Sequence, residues 1–193
     1  MISTPGDVGR GLQHLGHPRV WGAVIGAVGG SVFVHANRGE LSAAVSGGAL
    51  VVWAGALAVF VWAVLITPRL FAPLEPLPRS AIWVYFFSVA GMLVGIQLGR
   101  FALDAVGRVD VFPGVIVLFV GLHFLPFARA FDTPMFTRLG LLMAVLGVAG
   151  LVLGLAWTAT AAAAAAVAVV TGVVMLLVIS QDAWSGSPDR VRA

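Results

Sequence analysis

The chain has 193 residues, of which 60% are hydrophobic and 10% charged, with a mean hydropathy of +1.04. A soluble domain carries about 25% charged residues, so a soluble globular protein is excluded. Cysteine is absent, which excludes disulfides, thiolate metal sites and a cysteine nucleophile. The net charge is +3, and all eleven basic side chains are Arg. They are spread through the gaps between apolar blocks and form no run or stripe. They therefore read as topology signals, and no nucleic-acid partner is expected. Arg without Lys, with heavy Ala, Gly and Val usage, points to a GC-rich bacterial genome.

A membrane-crossing helix needs about 20 apolar residues, and the chain holds six such blocks. Residues 1–19 are a polar, Gly-rich segment with Arg10, His14, His17 and Arg19. Span 1 is expected at Val20–Ala36, followed by the polar turn Asn37-Arg38-Gly39-Glu40. Span 2 runs from Ser42 to Ile66. The segment Thr67–Arg79 carries Pro68, Pro73, Pro76 and Pro78, which excludes helix interior. Span 3 is placed at Ser80–Leu103, a short loop at Asp104–Asp110, and span 4 at Val111–Ala128. Arg129–Arg138 is a polar connection. From Leu139 to Ile179 there is no charge at all. As one helix this stretch would be roughly 60 Å long, about twice the hydrocarbon thickness. It must fold back, and Trp157-Thr158-Ala159-Thr160 is the best turn, since two hydroxyls and an interfacial Trp coincide. Span 5 is then Leu139–Ala156 and span 6 Ala161–Ile179. Residues 20–180 thus form one transmembrane domain, and 181–193 a polar, disordered tail. The expected fold is an all-α integral membrane bundle of six transmembrane helices.

Orientation follows from Arg on alternate sides. One side holds Arg10, Arg19, Arg69, Arg79, Arg129, Arg138, Arg190 and Arg192; the other holds Arg38, Arg100 and Arg108. Eight against three places both termini in the cytoplasm of a bacterial inner membrane. An even number of spans agrees. Val34-His35-Ala36 loosely fits a signal-peptide cleavage site. However, the basic segment before it is long, and cleavage would leave an odd number of spans.

Glycine, 24 residues in all, recurs at helical spacing: Gly22, Gly26 and Gly30 in span 1; Gly91, Gly95 and Gly99 in span 3; Gly140, Gly147, Gly150 and Gly154 in span 5. Glycines four apart let backbones approach closely. They favour packing within the chain over a homo-oligomer, the partner besides lipid that such faces imply. In span 3, Gln97, Arg100 and Asp104 share the face opposite Gly91-Gly95-Gly99. With protein expected on both faces, span 3 is the predicted central helix.

Ionisable groups inside a bilayer are costly and mark functional sites. His35, Asn37, Gln97, Arg100 and Asp104 fall at one depth, near the outer surface. They are expected to form a polar layer, with Arg100 and Asp104 paired as i and i+4, able to hold a polar or anionic solute. Arg100 snorkelling to the headgroups is the plainer reading. His123 lies on span 4, roughly 8 Å below its cytoplasmic end. Tyr85 shares its depth on span 3, and Ser88 lies one turn deeper. Tyr85 or Ser88 is therefore the expected partner of the His123 ring. His35 and His123 lie near opposite surfaces and cannot ligate one metal or one haem. The sequence names no cofactor.

Gly121-Leu122-His123-Phe124-Leu125-Pro126 is the most distinctive segment. Pro126 removes the bond to the Leu122 carbonyl and is expected to bend the helix beside His123. The segment resembles small bacterial multi-pass membrane proteins with a G-L-H-F-L-P-type motif. The resemblance covers span 4 and the connection after it, about an eighth of the chain. It implies a multi-pass membrane protein and no particular activity. No phosphate loop, H-E-x-x-H or G-x-S-x-G is present. The leading reading is a non-enzymatic protein, either a small-solute transporter-like unit or an accessory subunit of a membrane complex. An intramembrane enzyme or haem protein using His123 is the alternative, and a structural or assembly role is the third class.

Overall fold

A computed structural model describes residues 18–67, 79–131, 133–156 and 160–185. Residues 1–17, the proline-rich connection from 68 to 78, Asp132, Trp157-Thr158-Ala159 and residues 186–193 lie outside it, whereas Pro18 and Arg19 open the first helix. Six helices follow in order: α1 (Pro18–Asn37), α2 (Ala43–Phe60), α3 (Arg79–Ala105), α4 (Phe112–Ala130), α5 (Pro134–Ala156) and α6 (Thr160–Ser185). All six are long and apolar enough to cross a membrane, and the described residues hold no strand. The protein is a multi-pass membrane bundle in contact with lipid.

The helices overrun the expected spans at several ends. α5 begins at Pro134, so Arg138 is helical and not part of the connection. α6 begins at Thr160 and runs to Ser185, beyond Ile179. Gln181 to Ser185 are therefore helix, where a disordered tail was expected. Polar residues end a hydropathy block without ending a helix, because the backbone ladder continues into water.

Two helix ends have clear local causes. α2 closes in a π-helical turn, Val61–Ile66. The Thr67 N–H (2.9 Å) and hydroxyl (2.8 Å) both donate to the Trp62 carbonyl. Thr67 is extended, at φ −68° and ψ 126°, as expected of a residue that precedes proline. α3 ends at Ala105 and is closed by Gly107, whose φ is +68°. Gly107 N–H donates to the Asp104 carbonyl (2.9 Å) and Arg108 N–H to the Leu103 carbonyl (2.8 Å). This is the paired closure that a glycine after a helix permits.

The central helix is α6, not α3. One buried cluster joins Ala27 of α1 and Phe60 of α2 to Leu176 and Ile179 of α6. A second joins Phe33 of α1, Val117 of α4 and Met143 of α5 to Ala168 and Met175 of α6. A third joins Leu103 of α3 and Val115 of α4 to Ala164 of α6. Half of the most apolar stretch of α6 is buried, against 11% of that of α3. The alanine-rich start of α6 explains this, since Ala164, Ala165 and Ala168 are fully buried and their small side chains let neighbours close in. α3 packs along α4.

Glycine sets the closest approaches. A Cβ on Gly30 of α1 would stand 2.7 Å from the Gly172 carbonyl oxygen of α6. Between α4 and α5, a Cβ on Gly140 would stand 2.8 Å from the Gly121 carbonyl oxygen, and one on Gly147 would stand 2.6 Å from Leu118 Cα. Gly26, Gly30, Gly95, Gly99, Gly140, Gly147 and Gly150 all meet other helices of the same chain. Gly22 and Gly91, and Gly47, Gly48 and Gly55 on α2, meet nothing within 4 Å.

Candidate functional site

The expected outer polar layer does not converge. His35 and Asn37 belong to α1, which packs on α6 and α2; Gln97, Arg100 and Asp104 belong to α3, which packs on α4. Gly95 and Gly99 turn toward Phe119 and Val115 of α4, which sends Gln97, Arg100 and Asp104 outward, and all three are exposed. Arg100 and Asp104 form no ion pair. The Arg100 guanidinium instead lies 5.9 Å from the centre of the Phe112 ring, within reach of a cation–π contact. The ion pair in this region is Arg108 with Asp110, at 3.3 Å. Asp110, at the end of the short loop after α3, is thus engaged. Arg108 also donates to the carbonyls of Gly154 and Leu155. It thereby closes the C-terminal end of α5, where free carbonyls favour a cation.

His35 and Asn37 each turn back on their own helix. Asn37 Nδ2 donates to the Phe33 carbonyl (2.8 Å) and His35 Nδ1 to the Ser31 carbonyl (2.9 Å). Across the helix pair, Trp53 Nε1 donates to Ser31 Oγ (3.1 Å), which itself donates to the Ala27 carbonyl (2.8 Å). The Trp53 ring meets His35 edge-on at 4.5 Å. Ser31 and Trp53 were missed in the sequence. The signal available was Ser31 four residues before His35, on the same helix face. Beside this cluster an open groove of about 440 Å³ runs between α1 and α2.

The environment of His123 also differs from expectation. α4 continues through Pro126 to Ala130. The His123 ring donates through Nδ1 to the Val120 carbonyl, one turn back. Ser88 Oγ donates to the backbone carbonyl of His123 (2.8 Å), not to its ring. Tyr85 does not bond His123. It stacks on Phe127, with centroids 5.5 Å apart and planes 23° apart. Phe127 in turn meets the His123 ring edge-on at 5.1 Å. Equal depth thus brought Tyr85 and His123 to the same layer, and the buried Phe127 stands between them. Phe124 lies 4.2 Å from the imidazole and stacks on Phe136 of α5. This aromatic group, Phe124, Phe127, Phe131 and Phe136, was not anticipated, although the spacing Phe124-Phe127-Phe131 marks one helix face.

Chemically, the His123 layer is a packed aromatic contact in which the imidazole orients itself on its own helix. With Nδ1 donating to Val120, Nε2 is the remaining nitrogen of the ring. Buried polar side chains deeper in the bundle are satisfied locally. Thr171 donates to the Val167 carbonyl (2.8 Å) and Ser180 to the Leu176 carbonyl (2.6 Å). Among the described residues no group of three His, Asp or Glu side chains comes together. No family model matches the chain, and no curated protein or solved structure is similar to it.

Proposed function

We propose that the protein is a non-enzymatic accessory subunit of a membrane complex. The observation that carries this reading is Gln97. It lies on the exposed side of α3, eight residues before the helix ends at Ala105, which is roughly 12 Å along the axis. Among the described residues its amide has no hydrogen-bond partner. A polar amide facing hydrocarbon without a partner is costly, and a polar side chain on a neighbouring helix would satisfy it. Arg100 and Asp104 continue the same face, and among the described residues α3 packs chiefly on α4. The buried hydroxyls of Thr171 and Ser180 each close on their own helix. That favours an accessory role over a solute path through the bundle.

The proposed setting is the bacterial cytoplasmic membrane, with both termini in the cytoplasm, on the Arg asymmetry alone. The likeness of the His123 segment to small bacterial multi-pass membrane proteins fits that setting. A photo-crosslinking side chain introduced at position 97 in intact cells tests the function. The expected product is an adduct of the 20.0 kDa chain with a different polypeptide. Adducts with lipid alone, or only with a second copy of the chain, would contradict the accessory reading.

A further inference from the structure

Among the described residues a groove runs between α1 and α2. Val24, Val28, Val32 and His35 of α1 line one side, and Phe60 and Leu65 line the other. Val24 to His35 is a rise of about 16 Å, half of a hydrocarbon core of roughly 30 Å. The groove therefore has the depth of one lipid leaflet. Its volume of 440 Å³ lies within the usual range for small-molecule sites, about 300–1,000 Å³. It is apolar along its length and polar at one end, where His35 and the Ser31–Trp53 bond sit.

Arg38 follows one turn beyond His35. Its Nη1 donates to Ser46 Oγ of α2 at 3.4 Å, which holds the guanidinium at the same end of the helix pair. Among the described residues its Nε is buried without a hydrogen-bond partner, and Glu40 forms no ion pair with it. A buried donor left unmade is costly. A guanidinium presents its donors as a planar fork that matches phosphate oxygens.

We propose that the groove binds an anionic phospholipid, with one acyl chain along α1 and the phosphate on Arg38. The charge of the site selects the occupant. An anionic headgroup leaves its phosphate uncompensated and free for Arg38, whereas a choline headgroup brings a second cation beside it.

The test uses the full chain in detergent, with lipid binding followed by native mass spectrometry. Phosphatidylglycerol and phosphatidylcholine with identical acyl chains are compared. Phosphatidylglycerol is expected to bind about tenfold more tightly, the gain of one charge-assisted contact. Arg38→Gln should bring it down to the level of phosphatidylcholine, while Arg38→Lys should retain part of the preference. Val28→Trp, which fills the groove, should weaken both lipids. Arg138→Gln, on the exposed surface of α5, should change neither. Equal binding of the two lipids, or a preference that survives Arg38→Gln, overturns the proposal. So does Val28→Trp without effect, or glycerol phosphate binding as tightly as the intact lipid, either of which would mean that the acyl chain does not sit in the groove.

Discussion

Gly121→Ala should lower the stability of the bundle by about 1–3 kcal/mol, the usual cost of overpacking a close contact, whereas Gly48→Ala should be neutral or stabilising. A Cβ at position 121 would stand 2.6 Å from the backbone nitrogen of Ala144, 2.8 Å from Met143 Cβ and 2.9 Å from the Gly140 carbonyl oxygen. None of these is the far end of a side chain that can rotate away. α4 and α5 must separate, and contacts along their whole length weaken with them. In a bilayer that loss matters more than in water, because close van der Waals packing replaces the hydrophobic drive between helices. Alanine gains about 1 kcal/mol over glycine in helix propensity. Gly48 meets nothing within 4 Å, so that gain is unopposed there. Reversible unfolding of the two variants in mixed micelles separates the cases. Equal stability would mean that α4 and α5 do not meet through Gly121.

Arg108→Ala should cost roughly 1–2 kcal/mol and should loosen the last turn of α5 first. Hydrogen bonds from a charged donor are worth about 1.5–3 kcal/mol each when fully formed. Here the side chain is 29% exposed, so water recovers part of the loss. The surviving effect comes from the Gly154 and Leu155 carbonyls, which lie in the last described turn of α5 and accept from Arg108. Arg108→Lys keeps the charge near the helix end but loses the fork, and should recover part of the stability. Asp110→Asn removes only a partly exposed ion pair and should cost less than about 1 kcal/mol. Amide hydrogen exchange in the final turn of α5 provides the readout. Faster exchange there in Arg108→Ala, with α1 and α2 unchanged, is the expected pattern.

What the sequence revealed, and what it hid, follows from the physics of each signal. The number and order of the helices rest on hydropathy and length, which the bilayer imposes on every span. The fold-back inside the uncharged stretch from Leu139 to Ile179 follows from length alone, and the packing of α5 against α6 as two helices agrees with it. Rotation about each helix axis was less legible. Gln97, Arg100 and Asp104 were correctly placed opposite Gly95 and Gly99. Protein is expected against that face as well, because polar groups in spans usually face inward. The structure turns them outward, and the centre of the bundle passes to α6, whose buried Ala164, Ala165 and Ala168 mark no polar face in the sequence. Tyr85 and His123 illustrate the same gap. Their depth was readable from residue counts, but the ring of Phe127 between them depends on two azimuths that no local pattern reports. Arg108 read as a topology signal. Its contact with the carbonyls at the end of α5 joins residues 46 and 47 apart in sequence, and the only hint was the helix-ending Gly107 that aims it.

The absence of cysteine allows the six-span arrangement to be tested with single introduced thiols. Val106→Cys lies in the turn after α3 and Ser185→Cys at the end of α6, and both positions are exposed. A membrane-impermeant maleimide should label Val106→Cys in intact cells and Ser185→Cys only after lysis. Both thiols labelling from the same side would contradict three crossings between them, and with them the six-span bundle.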